Sequence, residues 1–498
     1  MTMEQKTKME RKCGILLALS SLPGPFGIGT MGKQAYTFID QLKEAGQSFW
    51  QILPLSPSGA GNSPYQSISA FAGNPDFIDF DLLAEDGLMT QAEADQCRAP
   101  FIQDAEYAEF DTLRQTKLSA LYPAYLRAKE KYKRQMQDFA WENSHWIHDY
   151  ALYAAFSERF GSCALSSWPQ PLRDREAAAL MQAACQERER IGFHIFCQFI
   201  FWRQWDALKC YANENGIEII GDMPFYVAGD SADLWANRAC FDKEGLTAGC
   251  PPDYFAPEGQ LWGNPVYDWE AMREDGYGWW MRRIAFQLAH FDVLRIDHFR
   301  GFEAYYAIPA GAPTAAQGHW VEGPGDSFME MLKTRFPIER FIAEDLGSLT
   351  GSFFEFMQRH GLPGLKVLQF AFTPGENSIY LPHRHTPCAV VYTGTHDNDT
   401  TLGWYKNACE EVRAFARAYL GSLTEKNAAH TLIRTAYMSV AQLAIIPMQD
   451  VLGLDSGARM NTPSTVGGTN WAWRLKDGQF DEKNRRRLYA MAKLYGRI

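Results

Sequence analysis

No run in this 498-residue chain approaches the roughly 20 consecutive apolar residues that a bilayer-spanning helix requires. Its start, MTMEQKTKMERK, carries cations but lacks the apolar stretch that follows them in a secretory leader. Together these absences set the expectation of a protein that is neither exported nor held in a membrane and that acts in the cytoplasm. Metal and disulfide signatures are missing as well. The ten cysteines (Cys13, Cys97, Cys163, Cys185, Cys197, Cys210, Cys240, Cys250, Cys388 and Cys409) form no CxxC pair and no metal-ligand spacing, so reduced thiols are expected and no metal or organic cofactor is called for. There is no excess of positive charge. A formal charge of −11 leaves no basic stripe for releasing counter-ions from phosphates, which argues against nucleic acid and anionic membrane as main partners. A neutral polymer stays compatible. Repeats, low-complexity tracts and Gly/Ser linkers are also lacking, which argues against separately tethered domains.

What is present is apolar and aromatic. With 46% hydrophobic and 14% aromatic residues, the chain can bury a large core. Most of the 15 Trp, 22 Tyr and 32 Phe must serve that core, although a sugar-binding cleft would also need their flat faces. Eight short apolar, branched runs recur at 15–20, 49–55, 216–224, 293–298, 341–346, 365–370, 389–396 and 443–450. Several end in a polar or charged residue followed by Pro, Gly or His, as parallel barrel strands do. Helical patterns separate most of them, at 33–45, 196–213, 278–289, 352–359 and 427–443. The fold class expected is α/β, a (β/α)8 TIM barrel.

Two gaps are too long for loops, about 160 residues between the second and third runs and about 70 between the third and fourth. The expected organisation is one catalytic barrel over 1–498 with two insertions. A helical subdomain would occupy 76–195, where charged and apolar residues alternate. A loop-rich subdomain over the active site would occupy 225–276. Its GCPPDYFAPEGQLWGNP stretch (249–265) reads as a shaped loop lying over the barrel mouth.

In such a barrel, function sits where strands end at their C-terminal sides, so acidic residues there carry the information. The fourth run ends VLRIDHFRG, placing Arg295 and Asp297 two apart on one strand face. An arginine beside a carboxylate favours its ionised form, as a nucleophile attacking an anomeric carbon requires. The fifth run ends FIAEDLG, where Glu344 could protonate a leaving glycosidic oxygen if burial raises its pKa. The seventh ends VVYTGTHDND, with His396 and Asp397 available to ring hydroxyls. Three carboxylates from three strands make a retaining glycosidase site in principle. Taken singly, an Asp at a strand end is more often a helix cap or turn residue. Asp345 is a rival for the acid role and Asp399 reads as the cap of the following helix. Asp222 and Asp450 read as supporting or structural carboxylates, and His298 and His396 as core histidines. The joint pattern carries the catalytic reading.

At these motifs the chain resembles the amylomaltase, or disproportionating-enzyme, family of 4-α-glucanotransferases in the wider α-amylase clan. The resemblance runs through SSLPGPFGIG (20–29), WQILPLSPSGAGNSPYQSISAFAGNP (50–75), GDMPFYV (221–227), PPDYFAPEGQLWGNP (251–265), LRIDHFRGF (294–302), AEDLG (343–347), THDNDT (395–400) and ARMNTPSTVGGTNWAWR (458–474). It implies Asp297 as nucleophile, Glu344 as general acid/base and Asp397 as transition-state stabiliser. It further implies substrate contacts from Tyr65, Asp253, Gln260, Trp262, Arg295, His298, His396 and Asn461, with the 249–265 segment as a flap on the acceptor side. The implied partners are an α-1,4-glucan donor and a glucose or maltooligosaccharide acceptor. An α-amylase-like hydrolase is the nearest rival, and products from maltotriose separate the two. A non-catalytic glucan-binding barrel would have been free to lose Asp297, Glu344 or Arg295, and all three are present.

Overall fold

Segments such as LAIIP (Leu443–Pro447) and AVVY (Ala389–Tyr392) are buried at every position. Strands covered on both faces need no polar alternation, which is why they read as continuous apolar runs. The computed structural model describes residues 10–241, 245–252, 257–347, 349–375 and 377–498. In chain order its strands are β1 (Lys12–Leu16), β2 (Phe49–Gln51), β3 (Glu218–Met223), β4 (Leu246–Cys250), β5 (Gln260–Pro265), β6 (Val293–Ile296), β7 (Ala304–Pro309), β8 (His319–Glu322), β9 (Phe341–Ala343), β10 (Gly364–Val367), β11 (Ala389–Tyr392) and β12 (Leu443–Pro447). Eight of them form one parallel sheet in the order β10-β11-β12-β1-β2-β3-β6-β9. These eight fall within or at the edge of the eight apolar runs. The sheet curls into a nearly closed (β/α)8 barrel, and at its seam the Ala343 N–H donates to the Pro363 carbonyl (3.0 Å).

Helices clothe the outside. Lys33–Glu44 follows β1 and buries Ala35, Phe38, Ile39 and Leu42, the spacing of an amphipathic face. Gly278–His290 precedes β6, Gly325–Arg335 precedes β9 and Gly351–His360 precedes β10. After β10 the described residues carry only the 3-10 turns Leu368–Phe370 and Pro382–Arg384 before β11, so the βα alternation lapses there. Between β2 and β3 lie several inserted helices, including Phe110–Lys131 and Ile147–Phe160, and then the 27-residue Arg188–Glu214. Between Phe193 and Trp202 that last helix is buried at every position but Ile195, because this stretch lies between β3 and the inserted helices. The boundary expected at 195 falls inside it.

The 249–265 segment departs from expectation. In place of a shaped loop throughout, its two ends belong to β4 and β5. These join β7 and β8 in a four-stranded antiparallel sheet of order β5-β4-β7-β8. Glycines and prolines hid the strands. Gly249 is needed because a Cβ there would sit 2.3 Å from the Gln260 carbonyl oxygen, and the β4–β5 register is broken between Thr247 and Gly249. The strand that anchors the sheet, β7, comes more than fifty residues after β4, so no local periodicity reveals it.

Candidate active site

Asp222 on β3 and Arg295 on β6 are register partners in adjacent strands, so their side chains project together from the sheet. Arg295 is 4% exposed. Its Nη1 donates to both Asp222 oxygens (2.7 and 2.7 Å) and its Nη2 to Asp297 Oδ1 (2.9 Å). The Tyr65 hydroxyl donates to Asp222 Oδ2 (2.8 Å). Burial alone would disfavour the guanidinium charge, but the two carboxylates outweigh it and hold the Arg295 pKa well above its usual value. A permanently charged arginine therefore fixes one oxygen of Asp297, whose side chain keeps 29% of its exposure. Asp222, which sequence could not rank among several acidic strand ends, is the anchor of this chain.

Glu344 follows β9 directly. Its N–H donates to the Ile296 carbonyl (3.1 Å), tying it to the strand that precedes Asp297. Its carboxyl accepts the His298 N–H on Oε2 and the Leu346 N–H on Oε1, each at 2.7 Å. Burial pushes its pKa up to about 8, aided by the negative Asp297, while Arg295 and the two N–H donors pull the other way. Burial wins, so the group is protonated at neutral pH. His298 has left-handed backbone angles (φ 47°, ψ 44°), an uncommon conformation for a residue with a side chain, and its N–H serves Glu344. Its ring is partly buried, and that desolvation lowers its pKa to about 4, so it is neutral. Trp262 meets this ring edge to face at 4.9 Å.

The third carboxylate lies beyond β11. Asn461 Nδ2 donates to Asp397 Oδ1 (2.6 Å), and His396 Nε2 lies 3.4 Å from Oδ2. Asn461, expected to meet substrate, is placed here as a donor to Asp397. The Tyr65 ring stacks on His396 at 5.1 Å, with Trp471 beside both. Arg459, which lies inside the ARMN stretch but has no role implied there, donates from Nη2 to the Asp397 carbonyl (2.6 Å) and from Nε to the Asn461 carbonyl (2.7 Å). It staples together the two segments that carry these side chains. Arg459→Ala is expected to lower kcat for maltotriose disproportionation by roughly 10- to 100-fold, as misplaced groups do. An unchanged kcat would show that the staple has no bearing on turnover.

Gln260 and Trp262 both sit on β5, with Trp262 Nε1 donating to Gln260 Oε1 (3.0 Å). Asp253 lies outside the described residues. Asp399 is not the helix cap expected of it. Thr400 caps Thr401–Asn407 through the Gly403 N–H, while Asp399 accepts from Ser456 and the Thr400 N–H. An adjacent threonine in the extended conformation simply reaches the helix end better. Asp450 is taken up by Thr393 and Thr401. Asp345, the rival acid, is turned into the β9–β10 seam, where it accepts the Leu365 N–H (2.5 Å).

A (β/α)8 barrel that presents an arginine-held aspartate beside a protonated glutamate, with aromatic faces around them, defines the class of enzymes that cleave and re-form glycosidic bonds. Comparison with known proteins narrows the class. The family model described as 4-alpha-glucanotransferase matches residues 17–480. The 4-alpha-glucanotransferase of Streptococcus pneumoniae is 44% identical, with 98% of each chain covered. That of Thermus thermophilus is also 44% identical, covering 99% of this chain and 100% of its own. The amylomaltase of Streptococcus agalactiae, solved with acarbose, superposes with a TM-score of 0.93 at 38% identity, over 98% of this chain and 100% of that one. The chain belongs to the 4-alpha-glucanotransferase family, and it is an enzyme that transfers segments of α-1,4-glucans.

Proposed function

We propose that Asp297 attacks the anomeric carbon of an α-1,4-glucan donor while Glu344 delivers its proton to the departing glycosidic oxygen. This leaves a glucosyl ester on Asp297. Glu344, now ionised, then takes the proton from the 4-hydroxyl of glucose or a maltooligosaccharide as that oxygen displaces the ester, and two inversions give net retention. Asp397 meets sugar hydroxyls and gains strength as positive charge develops on the ring. Tyr65, stacked on His396, offers an apolar face for the donor ring. Arg295, His298, His396, Gln260, Trp262 and Asn461 complete the substrate contacts, with Asp253 assigned to the same group. The observation that carries this reading is the pairing of an arginine-bonded Asp297 with a Glu344 raised to about 8, one group placed to attack and the other keeping a proton.

We further assign 1–498 to one catalytic barrel, with 76–195 and 225–276 as its inserted units, and place the enzyme in the cytoplasm, acting on free glucans. No helix among the described residues is long and apolar enough to cross a membrane. The test of function is the product profile from maltotriose. Free glucose together with maltopentaose and longer chains is the expected result, and only shorter products would sink the transfer reading.

Transfer also requires that water lose to a sugar hydroxyl at the ester. Trp262, against His298 and Tyr226, is the aromatic surface on β5 suited to hold an acceptor and exclude water. Trp262→Ala should lower the ratio of transfer to hydrolysis by about three- to tenfold, the effect of losing an aromatic contact worth on the order of 1 kcal/mol. The comparison is longer products against total reducing ends, and an unaltered ratio would remove Trp262 from that role.

A further inference from the structure

Seven junctions of the barrel carry parallel ladders, but none pairs β9 with β10 among the described residues. In a parallel ladder the Ala343 N–H donation to the Pro363 carbonyl would be followed by donation from the Leu365 N–H to the Ala343 carbonyl. The first bond is present (3.0 Å). The Leu365 N–H goes instead to Asp345 Oδ1 at 2.5 Å. A side-chain carboxylate stands where a main-chain carbonyl would stand. Asp345 is 4% exposed, and Lys366 Nζ lies 3.9 Å from its Oδ2 as countercharge. Gly364 leaves the room it needs: a Cβ there would fall 2.1 Å from Asp345 Oδ2, and the three nearest atoms it would meet all belong to that carboxylate. Glu344 sits between these ties. Ala343 is bound to the β10 side, Glu344 N–H to Ile296 on the β6 side, and Asp345 to the β10 side again.

Resting on the reading of Glu344 as acid/base, we propose that Asp345 is a positioning residue for it, setting the height and direction of the Glu344 carboxyl by replacing the main-chain ladder at the β9–β10 seam. Removing the carboxylate lets the Leu365 N–H fall back on the Ala343 carbonyl, which draws the segment toward a regular ladder and swings Glu344 off its line.

The test separates the work of Glu344 from the work of the rest of the site. Maltotriose needs a proton at its leaving oxygen and a base at its acceptor. α-Maltotriosyl fluoride with azide needs neither, because fluoride leaves unprotonated and azide attacks the glycosyl-enzyme without giving up a proton. Asp345→Ala is expected to lose about 100-fold on maltotriose, the scale of a group misplaced by an ångström, while losing no more than about threefold with the fluoride and azide pair. Asp345→Asn, which keeps an oxygen for the Leu365 N–H, should recover about tenfold of that loss. Equal losses on both donor systems, full activity on maltotriose, or an Asn variant as impaired as the Ala variant would overturn the proposal. Should Asp345→Ala fail to fold, Gly364→Ala decides instead, since it retains the carboxylate but pushes it from its seat and must show the same donor selectivity. Glu344→Gln measured alongside keeps the two claims apart. A donor split in Glu344→Gln without one in Asp345→Ala removes only the seam proposal, whereas no split in Glu344→Gln removes the acid/base assignment and the proposal with it.

Discussion

Asp297→Asn should abolish transfer and hydrolysis together, with a loss on the order of 10⁵-fold, the scale seen when a nucleophile is removed from an otherwise intact site. The substitution changes little else. An amide has nearly the volume of the carboxylate, and its oxygen can still accept from Arg295 Nη2, as Asp297 Oδ1 does at 2.9 Å. What disappears is the negative charge that forms the ester. Both reactions pass through that ester, so both fall equally, which distinguishes loss of the nucleophile from loss of acceptor binding. Glucose release and chain-length distribution from maltotriose, with circular dichroism to verify the fold, make the measurement. Turnover above about 1% of the parent enzyme would reject Asp297 as nucleophile. The variant carries a second, independent signature. The Asp297 charge is, after burial, the main influence that raises Glu344, so neutralising it should lower the Glu344 pKa from about 8.

The parts of this architecture legible in the sequence are those with local causes. Strands buried on both faces announce themselves as branched apolar runs, and Arg295 and Asp297 two apart on one strand are on the same side by the geometry of the strand itself. Asp297, Glu344 and Asp397 stand out because each ends such a run. What escaped depends on the third dimension. That Asp222 rather than Asp450 grips Arg295 follows from the β3–β6 register, in which Asp222 pairs with Arg295. Arg459 reaches the Asp397 carbonyl across sixty residues of chain, a partner that nothing around it in sequence suggests. The small antiparallel sheet was hidden because β4 pairs with a strand that follows a barrel strand and a turn. Asp345 was legible as an acid next to an acid. Its distinct role follows only from the missing ladder between β9 and β10.

Glu344→Gln is expected to reduce turnover of maltotriose by roughly 10³-fold, within the range for loss of a general acid and base, and to change the pH profile in a defined direction. The acid form is the useful one for breaking the donor bond. With its pKa at about 8, the glutamate keeps its proton through neutral pH and loses it as pH rises past that value, so kcat/KM of the parent enzyme should fall on its alkaline limb near 8. The glutamine variant has no such proton, and its residual activity should lack that limb. An alkaline limb that survives unchanged would assign the acid elsewhere. Stability should move with the same group. Because folding raises this carboxyl from 4.5 to about 8, its contribution is fully present below 4.5 and is lost as pH climbs through 8. The glutamine cannot follow that slope. It does carry a fixed cost, since the His298 and Leu346 N–H groups each point at a different oxygen of the carboxyl, and an amide presents an acceptor to only one of them. Leaving the other N–H facing an NH2 group costs about 1–3 kcal/mol. At pH 4 the variant should therefore melt below the parent enzyme. The gap should narrow as pH rises toward 8, where the parent pays to ionise a buried acid and the amide does not. A gap that stays constant across that range would mean that Glu344 titrates in the folded enzyme as it does in water.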